Sequence, residues 1–336
     1  MNYLYHNIDL NINIANRVRF TVCESIQIKK SVETLTNTAT LVLPREFRNA
    51  LSKADKDLDL SSKSILEFIS KGDPIRISFG YDEDLETEFR GYIKSIGADA
   101  PLVLECEDEM YQLKKAKRVT KTISSGKLLD ILKEIIPDKY EIICNETYQI
   151  GKWIIKNATP YEVLTELQEK VGLRFNFIDS KTIIVGMMTD FKPDAVHEFN
   201  FSRNVRRESD LKFVINDDTP RQIIVESMQK NGEKLSYTTG DPKGESKTKI
   251  VWPNLNKAEL KKWGDSFIQQ EEIGGLKGTL DSWCIPRTNP GDSAQITRPI
   301  YSDGHKNGTY FIKAVTIDIN KEVGIKRSNE LSHKLI

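Results

Sequence analysis

The chain has 336 residues, with 49 Lys and Arg balanced by 49 Asp and Glu. That length is about twice a typical domain of ~150 residues, so two or three domains with their own cores are expected. A net charge of zero excludes the overall positive field that draws proteins onto nucleic acid or anionic membranes. No basic start precedes an apolar run, and nowhere do ~18 apolar residues follow one another, so neither an export signal nor a membrane span is expected. Cys23, Cys106, Cys144 and Cys284 show no C-x-x-C spacing and read as reduced thiols in a cytosol-made protein rather than disulfides.

In chain order, Val18, Phe20, Val22, Ile26 and Ile28 all fall on even positions, which predicts one strand with a single buried face. "NTATLVL", closed by Pro44, predicts its antiparallel partner. The segment "PREFRNALSKADKDLDLSSKSILEFIS" reads as helical or irregular, with Ile65, Leu66, Phe68 and Ile69 as its apolar end. Strands follow at "PIRISFGY", "TEFRGYIKSI" and "PLVLECEDE", separated by "DEDLE" and "GADAP". The basic link "KKAKRVTKTISSG" suggests a first domain over 1–118.

Helical periodicity then begins. "SSGKLLDILKEIIP" turns Leu128, Leu129, Ile131, Leu132 and Ile135 inward and is stopped by Pro137. "ATPYEVLTELQEKVGL" predicts a helix with a Thr159–Glu162 capping box, Pro160 at its first position and Gly172 at its end, its apolar stripe being Val163, Leu164, Leu167 and Val171. Strands "KWIIKN", "RFNFI" and "TIIVGM" surround it, so residues 119–192 read as an inserted α+β domain with a strand-helix-hairpin unit.

From 193 to 336 the chain is β-rich again. "RQIIVESMQKNGEKLSYTT" predicts a hairpin about Asn231-Gly232, "GDPKGESKTK" a polar loop, and Asn256 with Glu259 the start of a helix. That helix carries Leu260, Trp263 and Phe267 on one face and ends at Gly274-Gly275. Its successor, "GDSAQITRPIYSDGHKNGTYFIK", repeats the frame of "GDPIRISFGYDEDLETEFRGYIK" 219 positions earlier. Gly72, Asp73, Tyr92, Ile93 and Lys94 fall opposite Gly291, Asp292, Phe311, Ile312 and Lys313 without a gap, and Ile77 opposite Ile296. The order hairpin, helix, Gly-Asp strand, turn, aromatic-Ile-Lys strand occurs once on each side of the insert. These ten residues are the candidate structural motif of a duplicated β domain.

No catalytic, cofactor-binding or metal constellation is expected. His6, His197, His305 and His333 are scattered, and G-x-S-x-G, P-loop and Rossmann patterns are absent. Glu105, Glu107, Asp108 and Glu109 read as a solvated strand end, and "KKAKR" (114–118) as a solvated linker or a rim contact to a partner. Two rival readings stay open: a tail-associated enzyme acting on cell-wall polymer through that acidic cluster, and a carbohydrate-binding module on the middle domain. Against the second, its aromatics Tyr161 and Trp153 suit a core better than a sugar platform.

From "GDPIRISFG" to "ECEDEMYQLKK" the sequence resembles the baseplate hub proteins of contractile phage tails and related injection systems. That group includes the late control family and the N-terminal hub part of type VI secretion spike proteins. Gly72-Asp73, the Phe89, Gly91 and Ile93 strand, "ECEDEMYQLK", "NPGD" and "GTYFIKAVTIDI" carry the resemblance. It implies a mainly β fold with an α+β insert, in which two tail-tube-like β-barrel domains flank a small βαββ-containing middle domain; the middle unit is also similar to the short N-terminal domain of secretins. It further implies a non-enzymatic homotrimer, without cofactor, joining a separate trimeric spike to a hexameric tail tube or tube initiator around a central channel. Baseplate wedge proteins would be further neighbours, DNA or a tape-measure protein would pass only in transit, and no stable membrane binding is implied. Such a protein is made in the bacterial cytoplasm and assembled into a virion tail or injection particle. Two quasi-equivalent domains on a three-fold axis would give a closed ring of six positions.

Overall fold

A computed structural model describes residues 7–43, 65–98, 101–123, 126–144, 149–150, 153–186, 195–207, 209–214, 221–229, 231–251, 254–271, 275–299 and 307–335. The chain is mainly β. Its elements begin with β1 (Ile8–Ile14), β2 (Val18–Phe20), β3 (Ser25–Ser31), β4 (Thr38–Leu43), β5 (Pro74–Tyr81), β6 (Glu86–Ile96), β7 (Leu102–Glu107) and α1 (Met110–Lys115). Next come β8 (Val119–Ile123), β9 (Gly126–Lys127), α2 (Leu128–Ile135), β10 (Glu141–Cys144), β11 (Gln149–Ile150), β12 (Trp153–Ala158), α3 (Pro160–Val171), β13 (Arg174–Phe177) and β14 (Thr182–Gly186). Then follow β15 (Val196–Asn200), β16 (Leu211–Val214), β17 (Arg221–Met228), β18 (Lys234–Gly240), β19 (Glu245–Ile250), α4 (Lys257–Glu271), β20 (Gly275–Ser282), β21 (Ser293–Thr297), β22 (Gly308–Asn320) and β23 (Gly324–Leu335).

These elements form two compact units. One takes the chain up to Lys30, Thr36–Tyr111 and Thr316–Arg327, and the other takes Ser31–Leu35, Gln112–Val315 and Ser328 onward. The long strands β22 and β23 therefore serve both, their distal halves in the first unit and the remainder in the second.

In the first unit the strand order is β2-β1-β5-β6-β7-β4-β3, continued by β22 and β23. Strand β1 exists because Leu10, Ile12 and Ile14 alternate with polar residues and bury their side chains on one face. Ala15 and Asn16, both with positive φ, fold it tightly back onto β2. The single strand expected from 17 to 28 is broken here. Its first part pairs with β1 and its second with β4, on opposite sides of the sheet, so Thr21–Glu24 must cross between them and Val22 is left 68% exposed. "PIRISFGY", "TEFRGYIKSI" and "PLVLECEDE" form the meander β5, β6, β7 as expected. Of the irregular excursion, Ile65–Glu67 is a 3₁₀ turn and residues 44–64 lie outside the described ones.

The second unit holds several smaller layers. Helix α2 buries Leu128, Ile131, Leu132 and Ile135, and the sheet β10-β14-β13 mixes a parallel with an antiparallel ladder. Helix α3 starts at the expected capping box, with Thr159 Oγ1 accepting from the Glu162 amide and the Glu162 carboxylate from the Thr159 amide, and stops at Gly172 in the left-handed region. Strands β17 and β18 make the hairpin about Asn231-Gly232. Residues 245–249, expected as part of a polar loop, instead form β19 together with Ile250, and this strand pairs parallel to β17 from Arg221↔Glu245 to Glu226↔Ile250. Its polar side chains are all exposed, so hydropathy patterning does not register the strand that backbone pairing forms. Helix α4 lies over β17 and β18 with Leu260, Trp263 and Ile268 buried, and its Gly264 makes room for the Tyr237 ring.

The rest of the second unit is a sheet of order β15-β21-β22-β23-β20-β16. Among the described residues neither large strand path closes on itself, so the expected closed barrels are not formed: β2 ends the first path and β15 and β16 end the second. The end strands β2 and β16 are three and four residues long, too short to carry a full ladder across a seam.

Candidate functional site

The candidate motif residues meet in two turns that open β5 and β21. In the first, the Gly72 amide donates to the Ile93 carbonyl at 2.8 Å and the Ile93 amide to the Asp73 carbonyl at 3.0 Å. The Asp73 amide donates to the Ser70 carbonyl at 3.1 Å, and the Ser70 amide returns a bond to the Asp73 carboxylate at 2.8 Å. In the second, the Gly291 amide donates to the Ile312 carbonyl at 2.8 Å and the Ile312 amide to the Asp292 carbonyl at 2.9 Å. The Asp292 amide donates to the Asn289 carbonyl at 3.1 Å, and the Asn289 amide to the Asp292 carboxylate at 2.8 Å. Four bonds thus recur with the same donors, acceptors and spacing. Ser70 and Asn289 take part through their backbone amides, which any residue supplies, so sequence carried no sign of them.

Both glycines need positive φ, +92° at Gly72 and +104° at Gly291. A Cβ at Gly291 would meet nothing within 4 Å, and one at Gly72 only the Tyr111 side chain, its hydroxyl at an ordinary 3.4 Å. The two positions therefore require backbone freedom and not space. Gly72→Ala and Gly291→Ala are each expected to cost about 1–2 kcal/mol, nearly equally, in urea unfolding. A difference above about 2 kcal/mol between them would break the equivalence of the turns.

The strands behind the turns match as well. Pro74↔Tyr92, Ile75↔Gly91, Arg76↔Arg90 and Ile77↔Phe89 in the first ladder correspond to Ser293↔Phe311, Ala294↔Tyr310, Gln295↔Thr309 and Ile296↔Gly308 in the second, each 219 positions on. The order β1-β5-β6-β7-β4-β3 likewise matches β15-β21-β22-β23-β20-β16. The partner of the first hairpin, β3–β4, is therefore the antiparallel pair β16–β20. The hairpin β17–β18, which takes that place in a linear reading, is inserted between β16 and β20 together with β19 and α4.

The copies differ in what faces the conserved carboxylate. Asp73 is bound by Arg17 at 2.5 Å, whereas Asp292 meets His197 Nε2 at 2.9 Å. They also differ beside the outer strand, since β1 runs antiparallel to β5 and β15 parallel to β21. His333 stacks on Phe311 at 5.3 Å, and burial holds its pKa below the ordinary histidine value. His6 and His305 lie outside the described residues.

The acidic cluster is not a solvated face. Glu107, Asp108 and Glu109 are buried: Glu107 pairs with Lys94 at 3.0 Å, Glu109 accepts from the Tyr92 hydroxyl at 3.0 Å, and Asp108 takes the amides of Asn37 and Met110. Only Glu105 stays outside, accepting from Ser95. Their partners lie on β6 and in the β3–β4 turn, which local sequence cannot place. These carboxylates are engaged in holding the end of β7 to β6, and among the described residues no group of His, Cys, Asp and Glu could hold a metal ion. Around "KKAKR", Lys114 lies over the Tyr161 ring and Arg118 pairs with Glu162 of α3, while Lys115, Lys117 and Arg118 stay exposed as the solvated-linker reading expects.

A second buried charge cluster was not visible in sequence. Arg327 of β23 is fully buried and pairs with Glu88 of β6, which Lys30 of β3 also reaches at 3.3 Å. Glu88 is the bulged residue between Ile77↔Phe89 and Ser78↔Thr87, and the bulge aims it inward. Burial opposes its charge, but Arg327 and Lys30 outweigh that and hold its pKa below the usual carboxylate value.

No family model matches the chain, and no curated protein is similar in sequence. Solved structures are similar in fold. A tail protein from Neisseria meningitidis MC58 superposes with a TM-score of 0.67 at 16% identity, covering 98% of this chain and 97% of its own. The 43 kDa tail protein of prophage MuSo2 from Shewanella oneidensis gives 0.63 at 13%, covering 97% and 98%. The E. coli c3393 protein, a component of the type VI secretion system, gives 0.57 at 10%, covering 98% of this chain and 77% of its own. Over nearly its whole described length, this chain has the fold of phage tail proteins and of type VI secretion tail-like proteins.

Proposed function

We propose that the protein is the structural hub of a contractile tail or injection-system baseplate. Three copies would form a ring of six quasi-equivalent tube-like domains around a channel, with a trimeric spike on one side and a hexameric tail tube on the other. The observation that carries this reading is the duplicated turn and ladder at a constant offset of 219, which gives one chain two similar subunit-like sheets. A three-fold object built from such chains can match both three-fold and six-fold partners. Tail proteins among the structural neighbours support the setting, and a neighbour solved as a Francisella PdpA–VgrG complex, of which the chain spans 53%, supports a partner of the spike class.

Light scattering should give the mass of three 38.4 kDa chains, alone at high concentration or with the spike protein of the same particle. Negative-stain images of that species should show a ring with a central hole. A chain that stays monomeric under both conditions would falsify the hub reading.

A further inference from the structure

Pairing register places four residues of the first unit in one row across its sheet. Arg19 of β2 lies opposite Asn13 of β1, Asn13 opposite Arg76 of β5, and Arg76 opposite Arg90 of β6. Directly paired residues share a face, and Ile12, Ile14, Ile75 and Ile77 fill the other one, so the row stands on the polar side. All three arginines are exposed. Arg76 and Arg90 have neither a hydrogen bond nor an ion pair among the described residues, although like charges in direct opposition destabilise a ladder.

The fold does not call for this charge. At the same places in the second copy, each 219 positions on, Gln295 and Thr309 pair in the same register, and the residue beside Gln295 on β15 is Glu198. Hydrogen bonding narrows what the row can hold. Asn13 Oδ1 accepts the Asn16 amide at 3.0 Å, and Asn11 Oδ1, two residues along the same face, accepts from Arg19 Nε at 3.0 Å. Both carboxamides thus engage their oxygens within the chain and keep N–H groups to donate, beside guanidinium groups that only donate. The carboxylates of this face are engaged as well: Asp9 accepts the Glu83 amide at 2.8 Å, and Glu107 pairs with Lys94 at 3.0 Å. What remains is a strip of donors across four strands, about 14 Å wide at the usual strand spacing.

We infer that this strip binds the phosphodiester backbone of DNA, whatever the base sequence. That backbone presents acceptors alone, with one phosphate per ~3.4 Å of axis on each strand, so about four phosphates span the strip. An acidic peptide would also bring backbone N–H groups, and these would meet more donors. Tyr92, the aromatic of the next row, is held by Tyr111 and Glu109, so phosphate and not base is the target. A net charge of zero removes an overall positive field and leaves room for this local one. The strip lies within one unit of one chain, so DNA can bind without an assembled ring, and failure here leaves the hub reading standing.

Anisotropy of a fluorescein-labelled duplex of mixed sequence, titrated with the full chain at low salt, is the test. Saturable binding is expected, with log K falling against log salt at a slope of about −3, as for three phosphate contacts. Arg76→Gln with Arg90→Gln should weaken binding at least about tenfold and reduce the magnitude of the slope by about two, with the circular dichroism of the parent. Arg90→Gln alone should reduce it by about one, so the effect can be read even if the double variant misfolds. Lys257→Gln with Lys261→Gln, which removes the same charge from exposed positions of α4, should change neither quantity. No binding at low salt overturns the assignment, and so does a lysine variant weakened as much as the arginine variant. Labelled poly-glutamate that binds as tightly as the duplex, and is lost in the arginine variant, overturns DNA as the ligand in favour of an acidic protein segment.

Discussion

Glu88→Gln is expected to destabilise the first unit by about 3–5 kcal/mol, the cost of removing one partner of a buried ion pair. Arg327 would keep its full charge at a fully buried position without this carboxylate, and Lys30 would lose the same acceptor. Lys30, with 14% of its side chain exposed, can turn its ammonium to water; Arg327 cannot. Replacing both ends, Glu88→Leu with Arg327→Met, should recover most of the loss, because an apolar pair of similar volume avoids the desolvation that the charges pay. Thermal unfolding followed by circular dichroism distinguishes the outcomes. If the single variant is as stable as the double, water reaches the cluster and the burial argument fails. The pH dependence has a definite sign. Glu88 has a folded pKa below its unfolded value of about 4.3, so its stabilisation is complete above that value and is lost as pH falls through the folded pKa. Glu88→Gln should remove that part of the acid sensitivity.

Gly91→Ala is expected to cost on the order of 3 kcal/mol or more, beyond either of the turn glycines. A Cβ there would lie 2.2 Å from the Glu107 carbonyl oxygen and 2.9 Å from the Phe89 ring, and the nearer obstacle is backbone. Relief requires β6 and β7 to separate where Tyr92 pairs with Glu107, which would also strain the Lys94–Glu107 and Tyr92–Glu109 contacts. The second copy solves the same site differently. Tyr310 takes the place of Gly91, with its hydroxyl accepting from the Leu276 amide, and the small residue moves across to Gly275, whose Cβ would lie 2.7 Å from that hydroxyl. A Gly91→Ala protein within about 1 kcal/mol of the parent would show that the Glu107 carbonyl yields, and that close approach is not what this glycine provides.

Local features were legible in sequence where local chemistry decides them. The Thr159–Glu162 box, the Asn231-Gly232 turn and the meander β5–β7 each follow from residues within a few positions of one another. The repeat was legible through Gly72 and Gly291, whose backbone conformation other residues reach only under strain. In strand β1, Ile8, Leu10, Ile12 and Ile14 alternate as plainly as in any strand of the chain, but Asp9, Asn11 and Asn13 between them give the segment a polar cast. What could not be read is long-range. The second copy of the first hairpin is split by an insertion, so Leu211–Val214 finds its partner only at Gly275–Gly278. The buried acids at the end of β7 and the Glu88 cluster depend on partners brought together by the sheet, and a charged residue carries no local mark of the partner that will bury it.

The sharing of β22 and β23 between the units also governs how the protein can be made. Gln27 and Asp318 are 291 residues apart, so the sheet begun by the first strands is completed by strands made far later in synthesis. Contacts of that separation form slowly, and a nascent chain must hold β3 with an open edge until β22 has been made. A product interrupted before Arg327 would lack the buried guanidinium and most of β23, and the second copy of the repeat would be incomplete. The first sheet is thereby finished only when the second copy of the repeat has been made.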